Sequence, residues 1–229
     1  MKLVFATNNP NKLAEIRMLV PSSIEILSLK DINCHEELPE TSDTLEDNAA
    51  QKAFYVFDNY GYNCFADDTG LEIDALDGRP GVYSARYAGE QCIAEDNMQK
   101  VLAEMKGQEN RDACFRTIIS LVIDGKEFQF EGMVEGQIIP EKWGDKGFGY
   151  DPIFLADGFD ESFAQMSIQQ KNEISQSFFL LLKWLIIQSS SHANTPTPIN
   201  CPKISLKSSI CKASTNFQSK YMASYRFEP

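Results

Sequence analysis

Two runs of strand-forming residues, Cys114–Ile123 and Lys126–Gln137, meet at Asp124-Gly125. Asp-Gly suits a two-residue turn in which both central residues take positive φ, the tight connection between antiparallel strands. The two runs therefore predict a long antiparallel arm. Upstream, Lys2–Ala6 (KLVFA) and Ile24–Leu29 read as short strands. Between them Asn11–Val20 reads as a helix, with Leu13, Ile16, Leu19 and Val20 on one face. A strand–helix–strand start joined to an antiparallel arm predicts a mixed α/β fold. A long helix is expected within Glu40–Tyr60, started by Asp43 or Thr44, with Asp47 completing a capping box. Tyr62–Asp67 predicts a third strand, Thr69-Gly70 a turn, and Leu71–Leu76 another strand. Ala94–Lys106 predicts a helix, Gly144–Pro152 a Gly-rich loop, and Ser167–Ser175 the start of a last helix.

Charge narrows the partners. The chain has 229 residues and a net charge of −12. A polyanion needs a basic face, so nucleic acid is not expected as a partner. A small anion held by a few cations and a metal stays open. Six Cys are present without a CxxC pair, which argues against zinc and dithiol redox sites. Cys34-His35 and His192 read as surface or loop residues rather than metal ligands. The opening MKLVFATNN lacks the apolar core of a secretory signal, and a cytoplasmic location is expected. Charge is uneven along the chain. From Ser177 onward there are six basic residues and one acid, with no Asp and no Gly. The apolar run FFLLLKWLII there is too short to span a membrane and carries Lys183. Residues 1–175 therefore read as one unit, with the chain long enough for one sizeable core or two lobes around a cleft, and residues 176–229 as a divergent, basic, Ser-rich tail.

Several residues carry possible chemistry. TNNPN lies between a strand and a helix, where backbone N–H groups face an incoming anion, and Lys12 sits in the first turn. Asp67 and Asp68 sit side by side at the expected strand end, the place where ligands bind in open α/β sheets. A turn cap would explain the Asp pair equally, and a helix dipole would explain Glu46. GxxxxGK[ST] and GxGxxG are both absent. Magnesium takes hard oxygen ligands, commonly one or two carboxylates plus phosphate oxygens, and Glu40, Glu46, Asp67 and Asp68 are the candidates. Lys12, Lys52, Lys171 and Arg86 are cations suited to phosphate. Phe148 and Tyr150 are suited to stacking on a base. Together these suggest metal-assisted attack of water on a nucleotide phosphate.

FATNNPNKLAEI, LPETSDTLEDNAAQKA, ADDTGLEIDALDGRPGVYSARYAGE, GFGYDPIF and FAQMS followed by QKNEIS resemble, in that order, the inosine triphosphate pyrophosphatase family. The likeness covers Met1 to about Ser175. It implies an elongated mixed α/β sheet with two lobes around a central nucleotide-binding cleft, and a homodimer. It implies hydrolysis of inosine, deoxyinosine and xanthosine triphosphates to the monophosphate and pyrophosphate with Mg2+. Thr7, Asn8, Asn9, Pro10, Asn11 and Lys12 match the family's phosphate loop. Glu40 and Asp68 match its metal carboxylates, with Asp68 also the catalytic acid/base. Lys52, Thr69 and Lys171 match substrate contacts. Phe148, Gly149, Tyr150 and Asp151 match the base-binding loop, with Tyr150 as the stacking residue.

One departure matters. The family continues after KNxIS with Ser-His-Arg and an amphipathic helix. Here Ser175 stays, but Gln176 and Ser177 stand where the His and Arg would be. That pair reads the purine's 6-oxo edge in the family, and charge-assisted bonds of this kind are worth about 1.5–3 kcal/mol each. The abrupt change of composition suggests a slip of reading frame near codon 176, with a lineage-specific extension as the alternative. Two other functions stay open: a weakened or inactive nucleotide-binding paralogue, and a phosphohydrolase with another base preference.

Overall fold

The first elements are β1 (Lys2–Phe5), α1 (Pro10–Leu19) and β2 (Glu25–Leu27), in a computed structural model that describes residues 1–20, 22–167 and 170–171. β1 and β2 are parallel, Lys2 opposite Glu25 and Val4 opposite Leu27, as a strand–helix–strand unit requires. α2 (Leu45–Tyr60) starts at Thr44. The Thr44 hydroxyl accepts from the Asp47 N–H at 3.1 Å and donates to the Asp47 carboxylate at 2.8 Å. Next come β3 (Cys64–Ile73), β4 (Pro80–Gly81), α3 (Ala94–Glu104), β5 (Asp112–Ile123), β6 (Lys126–Ile138) and β7 (Phe154–Ala156). Asp124 and Gly125 have φ of 49° and 76°, the paired positive values expected of the hairpin turn. The strands form one seven-stranded sheet in the order β2-β1-β3-β5-β6-β7, with β4 also on β3.

The Asp-Asp-Thr-Gly stretch corrects the sequence reading. It is neither a strand end nor a turn. β3 runs straight through it, paired with β5 from Cys64 opposite Val122 to Ile73 opposite Ala113. The neighbouring ladder outweighs the poor strand preference of Asp and Gly. Beyond Ile73, Asp74–Leu76 is a 3-10 turn rather than more strand.

Only the other edge of β3 is interrupted. β1 pairs with Cys64 and Phe65, and β4 pairs with Leu71 and Glu72. Residues 66–70 therefore have a strand neighbour on one side alone. This gap leaves one edge of β3 without a strand neighbour. The core divides at the same place. Below the gap, Phe65 packs with Leu3, Phe5 and Ile16 on the α1 face, and Ala66 with Val4, Ala53 and Val56 on the α2 face. Above it, Leu71 and Ile73 pack with Val101, Met105, Ile138 and Phe154. β3 thus threads two lobes and leaves Asp67–Gly70 between them.

Gly70 keeps the upper border close. A Cβ on Gly70 would sit 2.5 Å from the Gly81 carbonyl oxygen and 2.8 Å from its carbon. Both are backbone atoms, so strand β4 must move to admit a methyl. Gly70→Ala is expected to lower the free energy of unfolding by about 1–3 kcal/mol in urea melts; an unchanged midpoint would refute the close approach.

Of the expected last helix, Gln170 and Lys171 are helical. The rest of that expectation, and those for Gln176, Ser177 and the tail, lie outside the described residues. Among the described residues no helix is long and apolar enough to cross a membrane.

Candidate active site

The lower border of the gap is the loop between β1 and α1. Asn9 precedes the first helical residue, Pro10, and its Oδ1 accepts the Lys12 N–H at 3.3 Å. Thr7 Oγ1 accepts the Asn9 N–H at 3.2 Å. Proline at the first helical position loses no helical bond there, so the helix begins one residue earlier than the sequence predicts, and Asn11 falls within it. The first turn of α1 has no acidic residue, which leaves its positive end open to an anion. Asn8 lies in the same loop.

The floor is the β3 segment itself. Alternation sends Asp67 and Thr69 to the α1 face and Asp68 and Gly70 to the α2 face. Lys12 of α1 pairs with Asp67. Lys52 of α2, only 6% exposed, donates to Glu40 at 2.5 Å and to Asp68 at 3.3 Å. These ion pairs separate the titration of adjacent carboxyls. Burial raises the Asp67 carboxyl, but the Lys12 ammonium overrules it and holds the group below the ordinary carboxylate range. Burial pushes the Asp68 carboxyl up; Lys52 opposes this and Glu40 adds to it. Lys52 itself is pulled down by burial, yet Asp68, Glu40 and Asp67 leave it net raised. Two neighbouring carboxyls displaced in opposite directions is a pattern of acid/base sites. The Thr69 hydroxyl lies 2.9 Å from that of Thr117 on β5 and 3.5 Å from Asp67 Oδ2.

The upper border joins β4, the 3-10 turn Ser84–Arg86 and the Gly-rich loop. The Phe148 N–H donates to Asp151 Oδ2 at 3.0 Å, and Lys171 Nζ donates to the same oxygen at 2.6 Å. Asp151 thus joins the Phe148 backbone to Lys171. Tyr150 is not placed as a stacking residue. It is 4% exposed and donates its hydroxyl to the Ser84 carbonyl at 2.8 Å. Phe148 is 69% exposed and offers the free ring instead. A hollow of about 450 Å3 lies between this loop and α3, bounded by Met98, Lys142, Phe148 and Gly149. It contains none of the gap carboxylates.

Glu46, the other carboxylate named as a metal candidate, pairs with a different cation. It accepts from Arg116 of β5, which also donates to Glu131 at 2.5 Å and lies 3.6 Å from Glu72. Arg116 ties the start of α2 to the sheet. Glu40 and Asp68 do suit a divalent cation: both are oxygen donors and both converge on one ammonium. Among the described residues no group of three or more His, Cys, Asp or Glu could hold a metal ion, so Glu40 and Asp68 would supply two ligands and leave other positions to water or phosphate.

With this geometry in place, similarity to known proteins can be weighed. The Ham1 family model matches residues 3–178. The chain belongs to the Ham1 family. It is 58% identical over 174 residues to a dITP/XTP pyrophosphatase of Flavobacterium johnsoniae, covering 76% of this chain and 91% of that one. It is 46% identical over 176 residues to the Bacillus subtilis dITP/XTP pyrophosphatase, covering 75% and 89%. The solved Ham1 protein of Staphylococcus aureus superposes with a TM-score of 0.77 at 35% identity, covering 82% of this chain and all of that one.

Within this Ham1 fold, three contributors escaped the sequence reading. Asn48 is 1% exposed, accepts the Ser42 N–H at 2.9 Å and helps to draw the Asp68 carboxyl down against its burial. Its position four residues before Lys52 was the available signal, because that spacing shares a helix face. Asn97, buried on α3, donates to the Ser84 and Ala85 carbonyls and accepts the Ala88 N–H. Thr117 meets Thr69 through a pairing set 48 residues away, which no local pattern reveals.

Proposed function

We propose that this protein hydrolyses non-standard purine nucleoside triphosphates, dITP, ITP and XTP, to the monophosphate and pyrophosphate. The observation that carries it is the gap at Asp67–Gly70, flanked by an open helix end on one side and the Phe148–Asp151 loop on the other. The names of the relatives point the same way.

In this reading Thr7, Asn8, Asn9, Pro10, Asn11 and Lys12 receive the terminal phosphates, through the N–H groups of α1 and the Lys12 ammonium. Lys52 and Thr69 contact the phosphate chain above the floor. Glu40 and Asp68 would hold Mg2+, which when bound offsets phosphate charge and acidifies water. Asp68 takes the proton of the attacking water. The water oxygen bonds to the α-phosphorus as the bond from that phosphorus to the bridging oxygen breaks, and pyrophosphate leaves. Phe148 stacks on the purine, while Gly149, Asp151 and Lys171 border it. Tyr150 acts from behind, by fixing Ser84.

Mg2+-dependent pyrophosphate release from dITP, XTP, dATP and dGTP tests this. Fast turnover of the first two alone is expected; equal turnover of all four would sink the base preference. Phe148→Ala is expected to raise KM for dITP about 5- to 150-fold, the range of one lost base–aromatic stack. An unchanged KM would remove Phe148 from the site. A second reading is favoured by Gln176 and Ser177: residues 176–229 form a divergent tail, and the enzyme reads the base weakly. It predicts turnover with flat selectivity. A homodimer and a cytoplasmic location belong to the same proposal, and sedimentation velocity checks the first.

A further inference from the structure

Every lysine assigned above to the substrate already has a carboxylate. At the gap Lys12 and Lys52 face Asp67, Glu40 and Asp68, two cations against three acids. Lys171 is paired with Asp151. A polyphosphate gains little from cations already neutralised, even with a divalent ion present.

Arg86 differs. Among the described residues its guanidinium meets only the ring of Tyr83, with the carbon 5.2 Å from the ring centroid. It is half-buried. Tyr83 is held in turn by its hydroxyl, which donates to Asp43 at 3.1 Å. The turn bearing Arg86 is fixed on all sides. Ser84 Oγ accepts the Leu71 N–H at 2.8 Å and donates to the Gly81 carbonyl at 2.6 Å. Tyr150 and Asn97 supply the further bonds described above. Such fixing sets the place of one arginine at little entropic cost on binding.

The location follows from the sheet. The turn continues from β4, and Gly81 packs against Gly70, which shares the α2 face with Asp68. Through Tyr150 the turn is also joined to the base loop. A nucleotide with its terminal phosphates at α1 and its base at Phe148 would pass this turn at its nucleoside end.

We propose that Arg86 binds the α-phosphate, the phosphate that leaves as the nucleoside monophosphate. This rests on the proposed function for the direction in which the substrate lies. The ring of Tyr83 orients the guanidinium and leaves its N–H donors free.

The test is calorimetric binding of IMP and of inorganic pyrophosphate, each with Mg2+, to the full chain. Arg86→Ala is expected to weaken IMP roughly ten- to hundredfold, the worth of a charge-assisted bond, and to leave pyrophosphate within about twofold. Arg86→Lys is expected to recover part of the loss. Lys106→Ala, which removes an exposed charge elsewhere, is expected to change neither ligand. Unchanged IMP affinity in Arg86→Ala overturns the assignment. Equal weakening of both ligands, or no IMP binding by the unaltered protein, also overturns it. Failure of the proposed function is distinct: the unaltered protein would bind IMP yet release no pyrophosphate from dITP.

Discussion

Asp68→Asn is expected to lower kcat for dITP by about 10²- to 10⁴-fold, the usual contribution of a positioned base. The substitution keeps the shape and one acceptor oxygen, so the Lys52 contact can persist. It removes the group that takes the proton. KM is expected to change far less, because the phosphate loop and the base loop are untouched. The fold should tolerate the change, since a buried negative charge beside Glu40 is lost. Pyrophosphate release and a thermal melt measure both effects. A rate above a tenth of the original would show that another group activates water. Asp67→Asn serves as comparison. Asp67 is tied to Lys12 and held well ionised, so its role is to fix that lysine. Its loss is expected to act mainly on KM.

Lys52→Met is expected to cost about 3 kcal/mol of folding stability in the presence of chelator, the low end for breaking a buried ion pair. The low end applies because Glu40 is 45% exposed while Asp68 is 16% exposed. Methionine fills the volume of the lysine stem, so the loss reports charge rather than packing. Glu40 and Asp68 would then repel without the ammonium between them. Added Mg2+ is expected to recover part of the stability, since a cation shared by both carboxylates replaces the lost one. Urea melts with chelator and with Mg2+ measure this. Identical midpoints in the two conditions would remove Glu40 and Asp68 as a metal pair.

Local chemistry was legible without any structure. Thr44 with Asp47, and Asp124 with Gly125, are instructions that act over a few residues: Thr44 caps α2 and Asp124-Gly125 turns the hairpin as read, while the Asp47 carboxylate meets the Thr44 hydroxyl rather than completing the capping box. The apolar face of α1 follows the same logic at Leu13 and Ile16. The candidate cations and carboxylates could be named because few other residue types suit phosphate and magnesium. Motif order pointed to the family that the matched residues 3–178 bear out.

Partnership between distant residues was not legible. Thr69-Gly70 looked like a turn that ended a strand at Asp67, because those residues favour turns, yet β5 supplies a ladder along the whole of β3. Tyr150 looked available because aromatic residues in Gly-rich loops commonly are, yet its hydroxyl found a carbonyl 66 residues away and the ring was buried with it. Glu46 looked free to bind metal until Arg116 arrived from β5. The sequence by itself determined the elements, their caps and the stock of reactive groups, because those depend on neighbours along the chain. The tertiary structure alone decided where β3 is left uncovered, which carboxylate meets which lysine, and which ring of the Gly-rich loop is exposed. Those depend on strand pairing and burial between segments far apart in sequence, where propensity carries no information.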